Sequence, residues 1–313
     1  MPFYDKGQLG QEAKVRGFNR DTFEKVLRLC EILFYLNDEE FLREHLVLKG
    51  GTAINLTIFD LPRLSIGLDM DFIPNLSLED MMEAREKINK LIKSYMDDEG
   101  YQLSDSSKYS HSLDSFLFSY QNAGGNKDIL KLEINYSLRV HILEVVERKI
   151  IAGLFDDEIL VKVLHPIEIF AAKANALMSR AAARDLYDFV NMINNKIFSD
   201  ADSDMLRKCI IFYASISSGK GNLSFDISAI DNLTFNKIKR DLLPVLRLKE
   251  KFELGLYKEV AKNFMSNLMV LSHDEKEYIR LWESNNFDMK LLFPNRDIYE
   301  KLNEHPMLLW KIR

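Results

Sequence analysis

KGGTAINLTIFDLPRLSIGLDMDF, residues 49–72, joins a glycine pair at a helix start to a strand that carries two aspartates on one face. Gly50 and Gly51 permit a tight turn into a helix over Thr52–Phe59, which Pro62 helps to end. From Ile66 the pattern changes to period two: Ile66, Leu68, Met70 and Phe72 face one way, and Gly67, Asp69 and Asp71 the other. Backbone N–H groups at a helix start, approached closely where glycine has no side chain, bind phosphate oxygens, and Thr52 can add a hydroxyl donor. Aspartates at i and i+2 lie roughly 6.6 Å apart along a strand, so both can reach a hard cation that bridges to phosphate. Each piece also has an ordinary reading. A GG[ST] run is any helix start after a tight turn, and alternating aspartates occur on any solvent-facing strand.

The flanking chain supplies partners for this segment. His45–Leu48 (HLVL) reads as a short strand before the turn, and Asp21–Leu36 as an amphipathic helix with apolar residues at 23, 26, 27, 30, 33 and 34. Ser77 followed by Asp80 resembles the cap of a helix running to about Met96. Ser115–Gln121 and Asp128–Leu138 are strand-like and separated by the NAGGN turn at 122–126. In the second of them Leu130, Leu132, Ile134 and Tyr136 share one face, with Lys131, Glu133 and Asn135 on the other. Glu133 could therefore stand beside the Asp69 strand and complete the three-carboxylate cluster that two-metal phosphoryl or nucleotidyl transfer requires. Ile142–Ala152 and Leu160–Leu164 are further strand candidates.

After Pro166 the stretch PIEIFAAKANALMSRAAARDLYDFVNMI is rich in alanine and free of glycine, which predicts a long helix. If it is continuous, Lys173, Leu177, Arg180 and Arg184 form one stripe able to neutralise a triphosphate or an RNA backbone. The plain alternative is an Arg184–Asp188 surface pair worth about 0.3 to 0.5 kcal/mol. Beyond Asp200 only helical periodicity and loops are visible, with a Ser272–Glu275 capping box and a connector at SSGKGN, residues 217–222.

Composition narrows the class. At 313 residues, 47% hydrophobic and 29% charged, the chain is a globular protein with core enough for one large domain or two smaller ones. Two distant cysteines, Cys30 and Cys209, make neither a disulfide framework nor a zinc site, and a reducing cytoplasm is expected. The N-terminus does not read as a signal peptide, and no apolar run reaches the roughly 20 residues needed to span a bilayer. A net charge of −6 argues against general coating of nucleic acid. Lys237, Lys239, Arg240, Arg247, Lys249 and Lys251 could make a local RNA surface, although Asp241, Glu250 and Glu253 interleave with them and favour a solvated helix face.

KGGTAINL, LPRLSxxxDxDF, KLEIN and IEIFAAKANALMSRAAARDLYDF together resemble the AbiEii/MenT-type nucleotidyltransferase toxins of bacterial toxin–antitoxin systems, over roughly residues 45–195, and the HPMLLW tail is similar too. The resemblance implies an α/β (α+β) fold: a polymerase-beta-like nucleotidyltransferase core with a mixed sheet, placed at residues 1–197, followed by a mostly helical C-terminal domain at 198–313. It also implies Mg2+-dependent transfer of nucleotide from an NTP to RNA, with tRNA 3′ ends the expected target. A separately encoded antitoxin of winged-helix type is the expected partner. By position, Gly50, Gly51, Thr52, Arg63 and Ser65 resemble the nucleotide-binding turn, and Asp69, Asp71 and Glu133 the metal ligands. Lys173 and Arg180 resemble nucleotide contacts. Asp69, Lys173 and Asp185 would be catalytic, Asp185 orienting or deprotonating the attacking hydroxyl.

One position departs from the pattern: the family strand reads RLSxDxDxD, and Gly67 stands where its first aspartate is expected. Either the site is catalytically weakened, or Asp69 and Asp71 serve as a pair shifted two residues along the strand. A nucleotide-binding protein of the same fold that acts through a protein partner without turnover is therefore the alternative function. Transfer to a small molecule such as an antibiotic is a third use of the same core.

Overall fold

A computed structural model describes residues 4–151, 153–155, 158–217 and 223–312. The chain separates into two compact units, one of Met1–Arg139, Val145–Leu164 and Leu243–Glu250, the other of Val140–Glu144, His165–Leu242 and Lys251–Arg313. The expected mixed α/β architecture with a helical C-terminal part is present.

The first unit is built on one sheet of eight strands: β1 (Leu46–Lys49), β2 (Leu68–Phe72), β3 (Gln102–Leu103), β4 (Lys108–Tyr109), β5 (Leu113–Gln121), β6 (Lys127–Asn135), β7 (Val146–Lys149) and β8 (Leu160–Val163). Their order is β3-β5-β6-β2-β1-β8-β7, with β4 also on β5. At its centre β2 runs antiparallel to β1 and parallel to β6. Period-two alternation fixes this register. Leu48, Leu68, Met70, Phe72, Leu132 and Ile134 are buried on one face, and a slip of one residue would exchange that face for Lys49, Asp69 and Glu133. Because each fully buried aliphatic or aromatic side chain contributes about 1.5–3 kcal/mol, no alternative register competes.

Local signals behave as the sequence suggests. The amphipathic helix runs over Arg20–Asp38, and Ser77 caps Leu78–Asp98 by accepting from the Asp80 amide at 3.2 Å. Tyr35 and Tyr95 stack these two helices together, ring centroids 3.8 Å apart. The NAGGN turn closes the β5–β6 hairpin: Gly125 takes φ +85°, and the Asn122 carboxamide oxygen accepts from Gly124 and Asn126 amides at 3.0 and 2.9 Å. Of the strand expected over 142–152, Val146–Lys149 is extended and Ala152 lies outside the described residues. The connector at 217–222 also lies outside them, except Ser217.

Two features were not expected. A further helix, Lys6–Arg16, precedes the expected N-terminal amphipathic one. Residues 243–250, read only as helix or loop, return to the first unit: Leu64 donates its amide to the Val245 carbonyl at 2.8 Å, and Arg63 pairs with Leu246 as an isolated bridge.

The second unit is helical, beginning with Pro166–Ser179, Ala183–Asn194 and Asp200–Ser217. The long helix expected after Pro166 is therefore not continuous, and the Lys173–Arg184 stripe does not form as one helical face. Arg180 ends the first helix, Ala181 takes φ +45°, and Ala182 is extended. The Ser272–Glu275 capping box is present on His273–Glu283. Among the described residues, no helix is long and apolar enough to cross a membrane.

Candidate functional site

The glycine turn is formed by β1 running straight into the helical turn Gly50–Ala53, which continues as a π-helical turn over Ile54–Ile58. Gly50 takes φ +69°, and a Cβ placed on it would lie 2.6 Å from Asp69 Oδ2. A Cβ on Gly51 would lie 2.8 Å from an Arg63 guanidinium nitrogen and 2.9 Å from Ser65 Oγ. Both glycines are thus required for close approach, one to a carboxylate and one to a cation and a hydroxyl. Thr52 donates its hydroxyl to the Gly67 carbonyl at 2.5 Å, tying the helix start to the entry of β2. Five of the expected nucleotide-binding residues are so gathered at one end of β1 and β2.

The carboxylates follow from register. Asp69 is paired with Lys49 on β1 and with Glu133 on β6, so Lys49, Asp69 and Glu133 form one row across three strands. The next row holds Asp71 and Asn135. Asp71 is buried, and Lys49 Nζ lies 2.5 Å from its Oδ1. Burial pushes the Asp71 carboxyl up from its ordinary value, and Lys49 only partly offsets this. Recruiting Asp71 to a metal ion would require that pair to open. Glu133 is paired with Lys131, whose Nζ lies 2.7 Å from Oε2, and this pair is partly exposed.

Among the described residues, no group of three His, Cys, Asp or Glu is placed to hold a metal ion. Asp69, with Glu133 beside it in register, offers hard oxygens of the kind that coordinate magnesium-like ions. Position 67 adds no ligand. A Cβ there would meet only Lys131 main-chain oxygen at 3.5 Å and Lys131 Cβ at 3.9 Å, so neither packing nor backbone strain demands glycine.

The remaining expected residues lie in the second unit. Lys173 Nζ contacts Asp185 Oδ1 at 2.7 Å and Asp188 Oδ2 at 3.0 Å. Arg180, turned by the break at 180–182, bonds Asp185 Oδ2 through Nε at 3.1 Å and Nη2 at 3.0 Å. Both aspartates are buried. Burial raises the Asp185 carboxyl, but Lys173 and Arg180 outweigh it and hold the group below its ordinary value. Arg184 donates to the Asp241 carbonyl at 2.9 Å. The part of Asp188 was missed in the sequence, as were those of Lys49 and Lys131. Lys131 could have been found, since alternation already put it beside Glu133. Of the basic residues at 237–251, Arg247 and Lys249 fall in the first unit and the others in the second, with Arg247 donating to the Asp60 carbonyl at 2.8 Å.

A family model for the nucleotidyl transferase AbiEii toxin of type IV toxin–antitoxin systems matches residues 31–284. The chain belongs to that family. No curated protein matches. Among solved structures, the chain is similar to MenT4, a nucleotidyltransferase toxin from Mycobacterium tuberculosis H37Rv, with a TM-score of 0.63 and 16% identity over 96% of this chain and 99% of that one. At that identity the likeness is one of fold. Membership in the AbiEii family makes the chain the toxin component of a toxin–antitoxin pair, with nucleotidyl transfer as the family activity and a cognate antitoxin as its counterpart.

Proposed function

We propose that this AbiEii-family chain transfers a nucleotide from an NTP to RNA, with a tRNA 3′ end as acceptor, using the turn at Gly50–Thr52 and the carboxylate row beside it. The observation that carries the reading is the packing of the Asp69 carboxylate onto Gly50 and of Arg63 and Ser65 onto Gly51, with Glu133 in register across β6. Backbone amides at the turn suit triphosphate oxygens, and the buried Arg63 guanidinium behind Gly51 adds positive charge to the nucleotide-binding turn. Asp69 and Glu133 would hold the magnesium ion that accompanies the nucleotide, which when bound neutralises phosphate charge. Asp71, expected as a further ligand, keeps its carboxylate on Lys49.

The parts given to Lys173, Arg180 and Asp185 rest on their sequence motif: Lys173 and Arg180 contact the nucleotide, and Asp185 orients the attacking hydroxyl. An aspartate held ionised by two cations is a weak proton acceptor, which supports orientation over deprotonation. A catalytic portion of residues 1–197, a helical appendage of 198–313, and a separately encoded winged-helix antitoxin belong to the same proposal.

The purified chain, incubated with each labelled NTP, total RNA and magnesium, is expected to label RNA, and Asp69→Asn to abolish both labelling and growth inhibition. Retained labelling in Asp69→Asn overturns the assignment. Gly67, at the bend that enters β2 and offering no ligand, favours the second reading, binding of nucleotide without turnover. Gly67→Asp separates the two. If a chain that does not label RNA gains labelling by orders of magnitude, the native protein is a binding form of the enzyme.

A further inference from the structure

We infer that Lys131 is a resident cation of the nucleotide site: its ammonium stands in for a second divalent ion and passes from Glu133 to the triphosphate when nucleotide binds. This rests on the nucleotidyltransferase reading above. The geometry starts from position 67, where a Cβ would touch only Lys131. Lys131 and position 67 are therefore side by side, on the face that carries Asp69 and Glu133. Since glycine is demanded there by neither backbone nor packing, its effect is to leave the space beside the lysine open and uncharged.

Charge on this face points the same way. Asp69, Asp71 and Glu133 are offset by Lys49, 2.5 Å from Asp71, and by Lys131, 2.7 Å from Glu133. With the Arg63 guanidinium packed on Gly51, three carboxylates face three cations, so this face carries no spare negative charge for a second divalent ion.

The three cations differ in availability. Arg63 is 2% exposed and packed on Gly51, and Lys49 is committed to a carboxylate that is itself 1% exposed. The Lys131 side chain is 48% exposed and its partner 24%. An ion pair so open to water contributes little, so a triphosphate can displace Glu133 from it. Glu133 is then released to the single ion, and the lysine, a compact point charge with three donors, meets phosphate oxygens.

The test uses the full chain and a non-hydrolysable triphosphate, with binding followed by calorimetry and bound Mn2+ counted by electron paramagnetic resonance. The native protein is expected to bind one Mn2+ per bound nucleotide, and Gly67→Asp/Lys131→Met to bind two. In EDTA, where no divalent ion can compensate, Lys131→Met is expected to weaken nucleotide binding by about tenfold or more, and Lys131→Arg by much less. Melting curves of each variant verify folding. Two Mn2+ per nucleotide in the native chain, or unchanged nucleotide binding in folded Lys131→Met, overturns the inference and leaves the nucleotidyltransferase reading standing. Failure of native and Gly67→Asp chains alike to bind any of the four NTPs overturns that reading and the inference with it.

Discussion

Two lysine–carboxylate groups in this protein are built from the same residue types and behave differently. On the sheet, Lys131 and Glu133 sit on a half-open strand face, each reachable by water. In the helical unit, one lysine with 11% of its side chain exposed is shared by two aspartates that are 4% and 1% exposed. An exposed pair can be exchanged for a ligand at small cost, whereas a buried triad cannot lose a member without stranding charge. The sheet group can therefore exchange its partner for a ligand, whereas the helical group holds two helices in a fixed relation and can meet a ligand only with its pairs kept closed.

The largest expected effects are on activity and fall at the glycine turn. Gly50→Ala must place a Cβ 2.6 Å from Asp69 Oδ2 at a φ of +69° that only glycine adopts easily. Displacing that carboxylate by about 1 Å is expected to cost on the order of 100-fold in nucleotide transfer, read in the RNA-labelling assay. Gly51→Ala meets only the ends of the Arg63 and Ser65 side chains, which can yield, so it should cost less. Equal losses in the two variants would mean that the Asp69–Gly50 contact carries no special weight.

Next in size is the direct contrast between the two lysines. Lys173→Met leaves Asp185 and Asp188 buried together without their shared cation, and about 3–5 kcal/mol of unfolding free energy should be lost in urea titrations. Lys131→Met should cost under about 1 kcal/mol. A Lys173→Met protein as stable as the native one would show that water or Arg180 already compensates the pair.

Acid should separate the regions more gently. Asp185 has a folded-state pKa below its ordinary value. Its contribution is fully present above the unfolded value of about 3.9 and is lost as pH falls through the folded one. Stability should therefore decline below about pH 4, and Asp185→Asn, weaker at pH 6, should show a smaller drop between pH 6 and pH 3 in urea midpoints. The same drop in both proteins would assign the acid limb to other carboxylates.

How far each region could be read beforehand follows from where its determinants lie. β2 and β6 were legible because half-buried strands write their burial as alternation, and that alternation alone put Asp69 and Glu133 on one face. The break between Pro166–Ser179 and Ala183–Asn194 was not legible. Ala181 adopts φ +45° in a run of three alanines, with neither glycine nor proline to mark it. Nor could local pattern reveal that residues 243–250 return to Arg63 and Leu64, a pairing fixed by packing across about 180 residues of chain. Likewise the Lys49–Asp71 pair depends on strand register, so Asp71 read as a ligand although it is buried against a lysine.

The smallest expected effect is the most discriminating for position 67. Gly67→Asp introduces a carboxylate near Asp69 and Glu133, and like charges on neighbouring strands destabilise by up to about 1 kcal/mol. Its Cβ has room 3.9 Å from the Lys131 Cβ, so the ammonium of that lysine is the cation expected to compensate the new group. The two terms oppose, so the melting midpoint should stay within a few degrees of native. Combining it with Lys131→Met removes the compensating cation and leaves only repulsion. The double variant should then be less stable than the sum of the single changes predicts, by a few tenths to about 1 kcal/mol. Strict additivity would place the lysine out of reach of position 67 and return that glycine to a simple loss of ligand.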